Sequence, residues 1–243
     1  MDEWIEKKTI VFDGIDTEFG FMQVVDGYYL DEYMRFLLVD GAMQSAVYLH
    51  DNAGDALPFE YMQEFDWVYR INPQIKSALL IGGGAFAYPR YYFRKFPQNR
   101  MTVCEISETV IRLAKEYFGL DALMTEAGDR LSVYAKDGKR YMEETEEKFD
   151  LILNDAYIGG ASSESMKSQA ELIHKHLTND GVYAANMVMA LEGDASLAGR
   201  QEMETFAEVF RYTFLLPCDD ELDPEEQQNC IFFASDHPLI PEG

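Results

Sequence analysis

The sequence predicts an α/β protein: a doubly wound, mostly parallel seven-stranded sheet preceded by a small antiparallel β region. Three observations carry this expectation. Apolar runs alternate with helical patterns from Lys76 onward, the run Ser77-Ala78-Leu79-Leu80-Ile81 breaks into Gly82-Gly83-Gly84, and Asp-Gly pairs punctuate the first fifty residues. Alternating strands and helices with apolar strands are the pattern of a parallel sheet covered on both faces.

In the N-terminal region, Trp4-Ile5 to Val11-Phe12 is followed by Asp13-Gly14, Phe19 to Val25 by Asp26-Gly27, and Met34 to Val39 by Asp40-Gly41. Asp-Gly after a short apolar run signals a hairpin, so each pair is expected to reverse the chain. Pro58 suits the first turn of a helix running to about Arg70. The pattern then changes near Asn72-Pro73. The predicted division is an N-terminal β domain over 1–57 and an α/β domain over 58–243.

Strands are expected at 77–81, 101–105, 131–134, 150–154, 181–187, 212–216 and 229–234, the last two forming a hairpin. Helical patterns lie near 88–96, 107–118, 138–145, 165–177 and 197–210. Ser107 with Glu108 opens the second of these and Gly119 closes it. The acidic stretch Asp219 to Glu226 reads as a solvated loop.

A hydrophobic content of 47% supports a real core, and the net charge of −24 repels nucleic acid and anionic lipid. A cationic substrate would be drawn in. No stretch approaches the roughly 18 apolar residues of a membrane span, and the acidic start Met1-Asp2-Glu3-Trp4 lacks the basic opening of a signal peptide. Three scattered cysteines, Cys104, Cys218 and Cys230, suit a reducing cytoplasm better than a disulfide framework.

Ligands of open α/β sheets sit beyond the carboxyl ends of the strands. Strand one ends in Gly82-Gly83-Gly84, where the backbone can turn sharply and approach a ligand closely. Glu105 closes the next strand about twenty residues on, the spacing of a carboxylate that holds ribose hydroxyls. The third end carries Asp137-Gly138, with Asp137 able to accept an exocyclic amine or simply to cap a helix. The fourth carries Asn154-Asp155-Ala156-Tyr157, where Asp155 could act chemically or merely shape a loop. His174 and His176 are two apart on a predicted helix and do not share a face, so they form no metal pair. No convincing metal site is present.

Taken together, Ile81-Gly82-Gly83-Gly84, Glu105-Ile-Ser-Glu-Thr-Val, Lys136-Asp137-Gly138-Lys-Arg-Tyr and Phe149-Asp-Leu-Ile-Leu-Asn-Asp155-Ala-Tyr resemble the spermidine synthase family. Its members are aminopropyltransferases on a Rossmann-like class I methyltransferase fold. Leu37-Leu38-Val39-Asp40-Gly41-Ala42-Met43-Gln44 is similar to the family's strand and turn, and Phe59-Glu60-Tyr61 to the start of its gatekeeping helix. The resemblance implies that Gly82 to Gly84, Glu105, Asp137, Gly138 and Gln44 hold S-adenosylmethionine or its decarboxylated form as co-substrate. It implies Tyr61 and Tyr157 beside a small-molecule amine or polyamine, Asp155 as the general base, no metal, and a homodimer.

Two positions depart from the family. Its Gly-Gly-Gly-Asp-Gly-Gly loop reads Gly82-Gly83-Gly84-Ala85-Phe86-Ala87 here, losing a carboxylate that faces the aminopropyl amine and disfavours intact S-adenosylmethionine. A second acid, three residues after the base, is Ile158. Glu164 or Asp219, Asp220 and Glu221 could compensate, or be solvated surface charge. Arg90 could pair with a ligand carboxylate or face solvent. The expected activity is therefore aminopropyl transfer, with plain methyl transfer to another acceptor, or non-catalytic ligand binding, as alternatives.

Overall fold

The structure is a computed structural model that describes residues 4–50, 56–156 and 163–238. Strands β1 (Glu6–Thr17), β2 (Gly20–Tyr29), β3 (Glu32–Val39) and β4 (Ala42–Tyr48) form an antiparallel meander. Of the three Asp-Gly pairs, only Asp40-Gly41 turns the chain, with φ of 49° and 78° as a type I′ turn requires. The β2–β3 turn is instead Leu30-Asp31, at φ 48° and 65°, and the β1–β2 turn lies at Glu18-Phe19. Gly14 and Gly27 stand inside strands, where they make room: a Cβ on Gly14 would lie 2.2 Å from the Phe21 ring, and one on Gly27 2.4 Å from Ile5. Asp26 is a cross-strand partner rather than a turn residue, pairing with Arg35 at 2.7 Å.

The helix expected from Pro58 begins later and is broken. It consists of α1 (Glu60–Glu64), a 3-10 turn at Phe65–Trp67, and α2 (Val68–Ile71). Met62, Phe65, Val68 and Ile71 are buried in one cluster with Leu80, Val103 and Ile231 of the large sheet. We therefore assign the stretch from residue 58 to the larger part of the molecule.

That part runs β5 (Ser77–Ile81), α3 (Ala87–Lys95), β6 (Arg100–Glu105), α4 (Glu108–Tyr117), α5 (Leu120–Ala127), β7 (Leu131–Ala135) and α6 (Gly138–Glu144), then β8 (Phe149–Asn154), α7 (Ser163–His176), β9 (Leu177–Met189), α8 (Leu197–Ala207), β10 (Tyr212–Pro217) and β11 (Gln228–Ser235). Helix α5 was not legible in the apolar pattern. Gly119, at φ 72°, ends α4 and leads at once into it. Ser107 does cap α4, accepting from Val110 N at 3.3 Å.

The seven strands are ordered β10-β11-β9-β8-β5-β6-β7. β5 to β9 pair in parallel, while β11 is antiparallel to both of its neighbours. Chain order reverses direction across the sheet at β5 and β8, and the crevice beyond their carboxyl ends is where such sheets bind ligands. Buried clusters lie on both faces, one with α1, α2, α3 and α5, the other with α6, α7 and α8. The four-stranded sheet docks on the first side through Met22, Val24, Leu37 and Val47, which pack with Ala85, Ala87, Val110 and Leu113. Arg35 also donates to the carbonyl of Tyr117 at 2.8 Å. This docking sets β4 above the glycine loop.

At the opposite end of the sheet, one carboxylate ties three strands. Asp150 accepts from Lys76 N at 3.0 Å, Ser77 N and Oγ at 3.1 Å, and Thr178 Oγ1 at 3.0 Å. Asp150→Ala should lower unfolding stability by about 1–3 kcal/mol, because several donors lose their acceptor at once. Urea denaturation checks the loss, and ligand affinity at the far end of the sheet should not change.

Candidate active site

Between β5 and α3 the chain makes a tight loop on glycines. Gly82, at φ 93°, leaves no room for a side chain: a Cβ there would lie 3.0 Å from Ala156 Cβ and 3.1 Å from the backbone of Asp155. Glu105, buried at the end of β6, accepts from Gly83 N at 2.8 Å and Gly84 N at 3.3 Å through one oxygen, and from Ser107 N at 2.9 Å through the other. Ser45 of β4 accepts the next loop amide, that of Ala85, at 3.0 Å. Ala85 itself is fully buried against the small sheet. The position at which the family's loop carries an acid is thus withdrawn into an apolar seam. Phe86, at φ 57°, completes the turn and is also buried.

Asp155 follows β8 at the sheet's reversal, its backbone N donating to Ile81 O at 2.9 Å. Two donors hold its carboxylate. Tyr61 of α1 donates to Oδ2 at 3.2 Å, and Asn186 of β9 donates to Oδ1 at 3.2 Å. Burial pushes the carboxyl up to about 7, against the opposing pull of the Asn186 and Tyr61 hydrogen bonds, which favour its ionised form. Tyr61 is driven the other way from acidity, by its own burial and then by the adjacent carboxylate, so it remains a donor.

Two hollows meet at this carboxylate. The smaller, about 310 Å³, is lined by Gly82, Gly83, Gly84, Glu105, Ser107, Met62 and Tyr88 among others. The larger, about 780 Å³, opens between β4, α1, β9 and the loop after β10, with Tyr61, Asn186, Asp219 and Gln228 in its wall. Asp155 and Gln44 line both. Among the described residues, neither wall contains a lysine, arginine or histidine.

Most of the residues expected from the strand ends therefore converge. Asp137 and Gly138 stand apart: Asp137 caps α6 by accepting from Arg140 N at 2.9 Å, and Gly138 packs on Ile81. Neither lines these two hollows. Tyr157 and Ile158 lie outside the described residues, as does the side chain of Glu164. Arg90 donates to the carbonyl of Phe118 and lines a different surface hollow. The acidic loop is mostly exposed, yet Asp219 and Leu222 reach the larger hollow.

His174 pairs with Asp236 at 2.8 Å, and His176 is buried on the carbonyl of Glu147. Among the described residues, no group of three or more histidine, cysteine or acidic side chains is placed to hold a metal ion. Asn186, Ser45 and Gln228 were missed by sequence reasoning. Asn186 had a signal, a lone amide inside the apolar run Val182-Tyr183-Ala184-Ala185-Asn186-Met187-Val188.

The spermine/spermidine synthase domain model matches residues 66–218. A probable polyamine aminopropyl transferase of Bifidobacterium longum is 31% identical over 136 residues, 55% of this chain and 29% of that protein. A polyamine aminopropyltransferase of Buchnera aphidicola is 30% identical over 54% of this chain and 47% of its own length. The chain thus spans about half, or less, of the length of these relatives. In structure it is similar to a probable spermidine synthase from Corynebacterium glutamicum, with TM-score 0.76 and 22% identity, covering 94% of this chain and 81% of that one. Human methyltransferase-like protein 13, solved with SAH, superposes with TM-score 0.60 and 21% identity over 74% of this chain and 83% of its own. The glycine loop, the strand-end acids and the matched domain agree, and the chain belongs to the spermine/spermidine synthase family.

Proposed function

We propose that the protein transfers an aminopropyl group from decarboxylated S-adenosylmethionine to an amine, with Asp155 as the general base. One observation carries the reading: a single half-buried carboxylate lines both hollows, one floored by the glycine loop and one open to an acceptor. The glycine loop and Glu105 would hold the adenosyl part, and Tyr61, Asn186 and Gln44 the region between the two substrates.

The chemistry follows from charge. An amine is mostly protonated near neutral pH and must lose a proton to become a nucleophile. Asp155, with its carboxyl raised to about 7, is a better proton acceptor than an ordinary carboxylate and is still largely ionised at slightly basic pH. The acceptor nitrogen then bonds to the propyl carbon attached to sulfur as that carbon–sulfur bond breaks. The proton passes to Asp155, and sulfur leaves as a neutral thioether. In-line positioning of the sulfonium supplies the rest.

Preference for the decarboxylated ligand is argued from the smaller hollow. Its charged liners are Glu105 and Asp155, both acidic. The amides of Gly83 and Gly84 are engaged by Glu105, and that of Ala85 by Ser45. An intact ligand's carboxylate would meet no cation, whereas a terminal ammonium would meet Asp155. The net charge of −24 favours cationic substrates generally. A cytoplasmic setting suits the three free thiols, and no described helix is long and apolar enough to cross a membrane. Homodimerisation, suggested by the family likeness, belongs to the same proposal.

Side-by-side calorimetry should give tighter binding of decarboxylated than of intact S-adenosylmethionine. The reverse order would favour methyl transfer, and no binding of either would leave a non-catalytic relative. Asp155→Asn should cost about 10²–10⁴-fold in turnover while leaving the affinity for 5′-methylthioadenosine, which carries no ammonium, little changed, and wild-type turnover would refute the base. The rate should rise with pH through about 7 as Asp155 ionises. Tyr61→Phe removes a bond that favours the ionised form, so that limb should move up by roughly half to one pH unit.

Stability carries the opposite sign. Because the folded carboxyl titrates above its unfolded value, its contribution is complete below about pH 4, declines as pH rises, and is lost above about 7. Asp155→Asn should therefore gain on the native protein in denaturation across this window, by on the order of a few kcal/mol, and level off above it.

A further inference from the structure

In an adenosyl ligand the sulfonium and the purine base leave opposite ends of the ribose. Asp155, which lines both hollows, marks the reacting sulfonium end, and Glu105 in the smaller hollow is the carboxylate read as the ribose holder. The base then belongs farther from Asp155, in the part of the smaller hollow that an acceptor does not share. Asp137, the side chain expected there, is taken up as a helix cap and stays outside this wall.

Two large apolar side chains line the smaller hollow alone and still face water. Phe19 is 39% exposed and Ile106 is 52% exposed. They come from different parts of the molecule: Ile106 follows Glu105 at the end of β6, whereas Phe19 stands on the β1–β2 turn of the small sheet.

The turn that carries Phe19 is firmly built. Thr17 Oγ1 donates to Gly20 O at 2.8 Å and accepts from Phe19 N at 3.1 Å. Phe21 N donates to Asp40 Oδ1 at 2.8 Å, and Asp40 N to Phe21 O at 2.9 Å. Gly20, at φ 114°, lies so close to Asp40 that a Cβ would stand 2.4 Å from its carboxylate. The backbone is thus locked to the β3–β4 turn, yet among the described residues the Phe19 ring stacks on no other ring. A fixed tip that holds an unpartnered aromatic ring at the wall of an apolar hollow is preorganised for a flat, apolar-faced ligand.

Resting on the proposed adenosyl site, we infer that Phe19 is a specificity-determining residue that packs, together with Ile106, against the purine of the co-substrate. The β1–β2 hairpin is then part of the co-substrate site rather than only a support for β4. Base–aromatic packing of this kind corresponds to about tenfold in affinity.

The test is calorimetry with 5′-methylthioadenosine, the thioether product, on the native protein and on Phe19→Ala, Phe19→Leu and Phe19→Trp. Phe19→Ala should weaken binding about tenfold, Phe19→Leu should weaken it less, and Phe19→Trp should keep native affinity. In Phe19→Ala the KM for decarboxylated S-adenosylmethionine should rise in parallel, and the KM for 1,4-diaminobutane should not. Thermal unfolding should change little, because the ring removed is an exposed one. In Phe19→Trp, indole emission should respond to 5′-methylthioadenosine beyond any response of the native protein, whose tryptophans are Trp4 and Trp67.

Native affinity in Phe19→Ala overturns the inference while leaving the adenosyl site standing. So does a rise confined to the KM of the diamine, or indole emission in Phe19→Trp that saturating ligand does not change. Failure of folded native protein to bind 5′-methylthioadenosine overturns the adenosyl reading and this inference with it.

Discussion

A half-buried carboxylate must be reachable from two sides, and the arrangement around Asp155 is organised by that constraint. Burial alone would make the group a poor anion, and the Tyr61 and Asn186 hydrogen bonds hold part of its ionised character. Three separate elements, β8, α1 and β9, must be correctly packed for those contacts to exist. The broken α1–α2 segment earns its place in this way. Its apolar face is anchored by Met62, Phe65 and Val68 in the main core, which fixes Tyr61 at the edge of the site.

The second dependency is the close approach of two strand ends. Gly82 and Asp155 lie beyond adjacent strands at the point where chain order reverses, with Ile81 O bonded to Asp155 N and almost no space over Gly82. A side chain at Gly82 would press on the backbone that presents Asp155. Glu105 reaches across from the neighbouring strand to the same loop. A residue read as a ribose holder is therefore also the group that organises the loop amides. The small sheet completes the enclosure by supplying Ser45 to the loop and Gln44 to both hollows.

Much of this was legible in the sequence because the parallel sheet imposes continuous apolar strands and places chemistry at their ends. Gly82 to Gly84, Glu105 and Asp155 stand where apolar runs stop, which is a local signal. The failures have equally physical causes. Asp13-Gly14 and Asp26-Gly27 looked like turns, but their glycines accommodate Phe21 of β2 and Ile5 just before β1, a tertiary demand invisible along the chain. Leu30-Asp31 turns the chain without glycine. Asp137 sits at a strand end yet is occupied as a helix cap. Gln228 could not be found at all, since only the fold brings it to the wall of the larger hollow.

The central claim is that Asp155 is the half-buried base proposed to be shared by two substrates, and its own titration is the most direct test. Carbon-13 NMR of protein labelled at aspartate carboxyls, with Asp155→Asn used to assign the signal, reads that titration in the ligand-free state. An apparent pKa near the value of about 7 expected from burial would support the account. Ionisation near 4, as for an ordinary exposed aspartate, would mean that the carboxylate is solvated, and would contradict it.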